Sequence, residues 1–379
     1  MRILIPTILS TKNKVGVSEY LIGLLNSLQQ IDHTNEYFII TTKENKHFFN
    51  LYQDNFHEII VSILDISRAT LRLQYLVFSK FEIPRLVNKY KIDVIHEPCS
   101  WFINKKLTTI VTIHDIVEIN NLKYSFLFNF IKRKMILSSI NNSTAIISVS
   151  KQTTKEIKEI ISRNIYTIYN GVSSIEQSKF DIDLNILEKY NLKSKQYFIF
   201  VGTLLKHKNL LSLLEAFRRF NNINSNFKLL LAGKEGNAIK SIRDFLKKYS
   251  LENKIILTGY FDDREKSSLI KNAISLLLVS KKEGFGFPIL EAQSLGVPVI
   301  TANISSMKEI SNDSAIHIDP NSIESITNGM LVILENNDRI SKLINLGYKN
   351  TNRFSWNKTA LSTIKVYEKV YAQNNPLNK

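Results

Sequence analysis

Cysteine is almost absent from this chain: Cys99 is the single one among 379 residues. One thiol excludes an intrachain disulfide and leaves no cysteine cluster for a metal, so a cytosolic location is the default expectation. No apolar run approaches the ~18–20 residues of a membrane-spanning helix. The opening Met1-Arg2-Ile3-Leu4-Ile5-Pro6 lacks the apolar length and small-residue cleavage site of a signal peptide and reads as a first β-strand. No short-period repeat, low-complexity tract, arginine-rich tail or nucleic-acid motif is present, and nucleic acid is not an expected partner. Acidic residues are the minority charge, 34 against 50 Lys and Arg, for a net charge of +16. That balance favours anionic partners such as acidic headgroups or phosphorylated substrates. With 44% hydrophobic and 22% charged residues, the composition is that of a folded globular protein. At ~100–200 residues per domain, the length suggests two domains.

Short runs of Ile, Val, Leu and Phe alternate with amphipathic stretches. Strands are expected at Arg2–Pro6, Tyr37–Thr41, Asp93–His96, Thr108–Ile113 and Ala145–Val149. Continuous apolar runs of this kind fit strands buried on both faces of a parallel sheet. A helix over Ser18–Gln30 carries the stripe Tyr20, Leu21, Leu24, Leu25 and Leu28. The rhythm restarts with strands at Tyr197–Val201, Phe227–Ala232, Lys254–Thr258, Ile274–Val279 and Pro298–Thr301, after a linker within Gly171–Gln196. The reading is α/β, with two doubly wound halves whose ligands sit at the carboxyl ends of the strands. A last helix over Trp356–Ala372 places Leu361, Ile364, Tyr367 and Val370 on one face.

The strongest local signal is Glu283-Gly284-Phe285-Gly286-Phe287-Pro288-Ile289-Leu290-Glu291. It follows an apolar strand and opens a helix. Gly284 and Gly286 allow close backbone approach, Pro288 suits a first helical position, and the free amides of the helix start can hold an anionic diphosphate. Glu291 is expected in the first turn, where its carboxylate accepts from vicinal ribose hydroxyls, with Glu283 facing the sugar. The plain alternative is a strand–turn–helix connection with a capping glutamate.

These residues resemble glycosyltransferase family 4, in its bacterial surface-polysaccharide branch, mannosyltransferase-like. Glu283 and Glu291, seven residues apart, match its E-x7-E signature. Gly16-Val17-Ser18-Glu19-Tyr20, Val111-Thr112-Ile113-His114-Asp115, Tyr169-Asn170-Gly171-Val172, Phe200-Val201-Gly202-Thr203-Leu204 and Phe354-Ser355-Trp356 look like further family segments, in order. The resemblance implies the GT-B fold: two Rossmann-like domains facing across a cleft, with the C-terminal helix crossing back to the first. Residues 1–175 would form the acceptor domain, with 356–379 packed on it, and 176–355 the nucleotide-sugar domain. It implies a retaining, metal-independent hexosyltransferase, with GDP-mannose or a UDP-hexose as substrate and no cofactor. It assigns Glu291 to the ribose, Glu283 to sugar hydroxyls, the amides of Phe285, Gly286 and Phe287 to the diphosphate and sugar, and Lys208 to phosphate. Gly202 and Thr203 lie in the same donor loop. The chain departs from the pattern at Thr203 and His207, where relatives carry arginine; Lys206 or His207 would then supply a second phosphate cation. His114 is implied to contact the sugar. Asp115 orients it or touches the acceptor, and Gly16 approaches the donor phosphate or acceptor. A second pair, His96-Glu97, reads as cleft lining.

The acceptor implied is a glycan or a polyprenyl-diphosphate-linked glycan at the inner face of the cell membrane. The segment Phe126–Lys134 interleaves aromatics with Lys132-Arg133-Lys134 and could lie on anionic lipid, a peripheral contact at a cytoplasmic surface. Its alternative is a helix with the aromatics in the core. Rival readings are a sugar-nucleotide epimerase on the same fold and a non-enzymatic binder.

Overall fold

The computed structural model describes residues 1–10, 16–63, 68–101, 103–116, 126–172, 185–335 and 337–374. The chain forms two compact units, Met1–Ser173 with Phe354–Lys379, and Ser174–Arg353.

The first unit is built on seven strands: β1 (Arg2–Pro6), β2 (Glu36–Thr42), β3 (Phe56–Val61), β4 (Val94–Glu97), β5 (Thr109–Ile113), β6 (Ala145–Ser148) and β7 (Ile165–Thr167). Their order is β3-β2-β1-β4-β5-β6-β7, every pair parallel. The central strands are buried along their length because helices cover both faces. On one face lies α1 (Gly16–Ile31), whose Tyr20, Leu21, Leu24, Leu25 and Leu28 are all buried with Ile3 and Ile5. On the other, α2 (Arg68–Tyr90) and α3 (Phe126–Asn142) share a cluster with Leu4, Phe38, Ile40, Trp101 and Met135. A short α4 (Lys151–Lys158) is capped by Ser150, whose side chain accepts from the Thr153 amide.

The terminal helix, Trp356–Asn374, packs beside α1, burying Ala360, Val366, Tyr367 and Val370 in the same cluster. Gly23 and Gly171 make room for its first residue. A Cβ on Gly23 would lie 2.1 Å from the Trp356 indole, and one on Gly171 2.3 Å from the Trp356 backbone nitrogen. The Thr359 hydroxyl donates to the Tyr169 carbonyl at 2.7 Å. Leu361, expected on the buried face, is 50% exposed; the inward positions are the smaller Thr359, Ala360 and Thr363, which let the two helices approach closely.

The second unit has β8 (Tyr197–Val201), β9 (Lys228–Ala232), β10 (Ile255–Gly259), β11 (Ser275–Leu278), β12 (Val299–Ala302) and β13 (Ile316–Ile318), in the parallel order β10-β9-β8-β11-β12-β13. Its helices are α5 (Asn185–Lys189), α6 (Leu210–Ile223), α7 (Ile239–Tyr249), α8 (Asp263–Asn272), α9 (Phe287–Ser294), α10 (Ser305–Ser311), α11 (Ile323–Glu335) and α12 (Asn337–Thr351). The strand order reverses between β8 and β11, the position where open parallel sheets leave a crevice at their carboxyl edge. Three strands were not expected from sequence, β3, β7 and β13, and all three are edge strands. An edge strand faces the core only in part, so Phe-His-Glu-Ile-Ile-Val of β3 alternates between buried and exposed and offers no continuous apolar run. No helix among the described residues is long and apolar enough to cross a membrane.

Candidate active site

The two loops that flank the switch point of the second sheet carry the predicted donor residues. After β8 the chain runs through Gly202 and Thr203 into a 3₁₀ turn, Lys206–Lys208. Asn209 follows in the left-handed region, φ 59°, and its amide donates to the carbonyls of Val279 at 3.2 Å and Pro320 at 2.6 Å. The Lys281 amide donates to the His207 carbonyl at 3.0 Å. This stitching brings the loop after β8 against the loop after β11.

There Lys208 meets Glu283. The ammonium lies 2.6 Å from Oε1 and 2.8 Å from Oε2, and both side chains are largely buried. Burial alone would raise the Glu283 pKa. The Lys208 charge and hydrogen bond, aided by the buried Ser280 hydroxyl and the nearby His207, outweigh it and hold the carboxylate below the usual range. The Glu283 backbone is fixed too: its carbonyl accepts from the hydroxyls of Ser305 and Ser306, each at 2.9 Å. His207 thus lies close enough to act on Glu283, whereas the Lys206 side chain is exposed to water.

Gly286 precedes α9 with φ 110°, a conformation that an L-residue avoids, and no side chain caps the helix. Pro288 sits in the first turn, where its missing N–H leaves no donor unpaired, and the Ile289 amide donates to the Gly286 carbonyl at 3.0 Å. The Phe285 and Phe287 rings stand edge to face, 5.2 Å apart. Because α9 begins at Phe287, Glu291 starts its second turn rather than lying in its first. Its Oε1 is 2.9 Å from Lys266 Nζ, both side chains mostly shielded from solvent. Lys266 was not expected. It lies among other charges in α8, and nothing in the sequence aims it across to α9.

In the first unit Gly16 is the first residue of α1, exposed. His114 follows β5, with Nε2 2.9 Å from the Pro98 carbonyl. A carbonyl only accepts, so Nε2 carries the proton and Nδ1 keeps its lone pair. Burial pushes His114 down to about 4, against the opposing pull of that carbonyl. At neutral pH it is therefore an uncharged imidazole. Asp115 beside it is exposed. The neighbouring pair, expected to line a cleft, is instead buried in the first unit. His96 is fully buried, bonded to Tyr367 Oη at 2.5 Å through Nδ1 and to Thr112 Oγ1 at 2.8 Å through Nε2. Glu97 points to the opposite face, as successive strand residues do, and accepts from Tyr75 Oη at 2.6 Å.

Two doubly wound parallel sheets, the second with a lysine–carboxylate pair at its switch point, define a GT-B type α/β protein. Residues 184–350 match the glycosyl transferases group 1 model, and residues 15–174 match that of Glycosyltransferase Family 4. The chain is 27% identical over 313 residues to O-antigen chain mannosyltransferase B of Escherichia coli, covering 79% of this chain and 82% of that one. Sucrose-phosphate synthase of Thermosynechococcus elongatus superposes with a TM-score of 0.79 at 17% identity, over 98% of this chain and all of that one (100%). Anabaena HepE in complex with UDP-glucose gives 0.72 at 14%, over 97% and 100%. The chain belongs to glycosyltransferase family 4.

Proposed function

We propose that this glycosyltransferase is a retaining, metal-independent hexosyltransferase, moving a hexose from GDP-mannose or a UDP-hexose to a glycan or polyprenyl-diphosphate-linked glycan in surface-polysaccharide synthesis at the cytoplasmic face. The observation that carries the reading is the Lys208–Glu283 pair beside the uncapped start of α9. A cation and oriented amides answer the charge that grows on a departing diphosphate. The relative named for O-antigen mannosyl transfer supports the acceptor class, and the neighbour holding UDP-glucose supports the donor class. No separate cofactor enters; the nucleotide sugar is the substrate. The acceptor hydroxyl attacks on the face the diphosphate leaves. The bond from C1 to the phosphate oxygen breaks, the new C1–oxygen bond forms, and the phosphate takes the hydroxyl proton. Glu283 holds sugar hydroxyls. To His114 we assign a hydrogen bond from a sugar hydroxyl to Nδ1, and to Asp115 and Gly16 the acceptor side. NMR of the product tests retention: a product anomer inverted relative to the donor overturns the mechanism.

Glu291 serves the ribose. Glu291→Ala should weaken donor binding by about 1.5–3 kcal/mol, the range for hydrogen bonds to a charged group. Lys266→Met, which frees the carboxylate from its ion pair, should change it less. Equal donor affinity for Glu291→Ala and parent by calorimetry would remove the assignment.

Metal independence has a direct check. The chain's one Asp-x-Asp, Asp181-Ile182-Asp183, lies outside the described residues, and such a pair is a usual ligand set for a divalent ion on a diphosphate. Transfer should survive EDTA undiminished. Loss on chelation with recovery on adding magnesium or manganese would overturn the metal-free reading.

The segment Phe126–Lys134 is retained as a membrane contact. Of its aromatic side chains Phe130 is described and is exposed; the side chains of Phe126, Leu127, Phe128 and Lys132 lie outside the described residues.

A further inference from the structure

The first four turns of α2 carry apolar side chains outward. Leu73 is 65% and Phe81 61% exposed, with Val77 and Leu76 exposed between them. Residues 73, 77 and 81 form one stripe at helical spacing. The opposite stripe, Leu71, Tyr75 and Phe78, is buried against the sheet. A helix lying on a sheet needs one apolar face; this one has two. Single exposed apolar residues are ordinary, but four within three turns make a patch.

The adjoining helix extends it. Both helices flank Trp101, whose indole N–H donates to Ser79 of α2 at 3.3 Å and whose amide donates to Ser139 of α3 at 2.6 Å. On α3, Phe130 is 48% exposed and Ile131 is exposed beside it. Exposed cations accompany these residues: Lys80 and Arg85 on α2, Arg133 and Lys134 on α3. The Lys80 ammonium lies 5.4 Å from the Phe81 ring and that of Lys134 4.5 Å from the Phe130 ring. Glu82 is the acidic residue of α2 and pairs with Arg85 at 3.8 Å. In a parallel crossover the helix returns from the carboxyl edge of the sheet. The first halves of α2 and α3, with Leu73, Leu76, Val77, Phe130 and Ile131, therefore lie toward the edge that carries His114.

We propose that this face, Leu73, Leu76, Val77 and Phe81 with Phe130 and Ile131 among four cations, docks the first unit on a bilayer containing anionic lipid. Apolar side chains enter the headgroup boundary and the cations meet lipid phosphates. A second copy is the poorer occupant, since two such faces would bring like charges together. The inference widens the membrane contact proposed for Phe126–Lys134. It rests on the lipid-linked acceptor reading for its purpose alone, because docking is measured with no acceptor present.

The test is flotation of the full chain with phosphatidylcholine vesicles, with and without phosphatidylglycerol. The parent should float with the anionic vesicles alone, and binding should fall as salt rises. Leu73→Ser/Val77→Ser/Phe81→Ser should lower the partition coefficient at least ~10-fold, in line with the loss of three buried apolar side chains. Ile223→Ser, an exposed position in the second unit, should not. Arg85→Gln/Lys134→Gln should weaken binding and flatten its salt dependence. Transfer to a water-soluble acceptor should be unchanged in the triple variant. Triple-variant binding equal to the parent's overturns the proposal. So does equal binding to neutral vesicles, or a parent dimer that the triple variant dissolves while neither protein floats. If the parent floats as expected but transfers no sugar to any acceptor, the enzymatic reading fails and the docking face stands.

Discussion

Replacing Lys208 with alanine is expected to lower kcat about 100- to 1000-fold, the range for removing one preorganised group from a developing oxyanion. Affinity for the nucleoside portion should change little, because Lys208 acts on charge that appears as the diphosphate leaves. A second consequence follows from its contact with Glu283. The carboxylate is buried and stays ionised because the ammonium lies 2.6 Å away. Without that charge, burial acts unopposed by its strongest partner and the Glu283 pKa rises. The acidic limb of the kcat profile should therefore move to higher pH in Lys208→Ala. Removing one partner of a buried pair also costs about 3–5 kcal/mol of stability, so Lys208→Met, which keeps the aliphatic stem, and Lys208→Arg, which keeps the charge, accompany it. Arginine should restore the position of the acidic limb even if its planar fork fits the phosphate poorly. A kcat within about threefold of the parent's would exclude the leaving-group role, since removing one such group costs far more. A rise in KM alone would reduce Lys208 to uniform binding.

What could be read from the sequence, and what could not, divides along physical lines. The central strands β1, β5 and β8 announce themselves because both faces are buried and nearly every position is apolar or a threonine, Arg2 at the start of β1 being the charged exception. The glycine loop is legible because chain geometry, helix start and carboxylate spacing fall within nine consecutive residues, Glu283 to Glu291. Pairings between distant segments are not. His96 and Tyr367 are 271 positions apart, and a histidine ending a strand looks the same whether it faces a ligand or a tyrosine from the terminal helix. The outward stripe of α2 escaped for the opposite reason: a helix apolar on two sides shows weak periodicity, and only the sheet beneath it decides which side is core.

Between pH 6.5 and 4.5 the first unit of the parent protein should lose only modest stability, whereas Glu97→Gln should lose about 2–3 kcal/mol more over the same window. Two buried groups, His96 and Glu97, oppose one another there. Burial, reinforced by His114, pushes His96 down to about 3 from an ordinary 6.5. The folded state keeps it neutral while the unfolded chain takes up a proton below 6.5. Its stabilisation is thus complete above pH 6.5 and is lost as pH falls toward 3. Glu97 runs the other way. Burial raises it to about 7 from an ordinary 4.5, against the hydrogen bonds from Tyr75 and Cys99. The folded state keeps its proton while the unfolded chain releases it above 4.5, so its contribution is complete below 4.5 and is lost as pH rises toward 7. Each slope is up to about 1.4 kcal/mol per pH unit. In the shared window His96 and Glu97 cancel, leaving the acid loss of His114, which is partly exposed and smaller. Glutamine mimics the protonated Glu97, can still accept from Tyr75, and removes one arm of the balance. His96→Gln removes the other, and its stability should rise or stay level as pH falls. Both tryptophans, Trp101 and Trp356, lie in the first unit, so urea titrations followed by tryptophan fluorescence report that unit. Parallel pH profiles for parent and Glu97→Gln would show that Glu97 is ionised in the fold, and the opposition between the two faces of β4 would not exist.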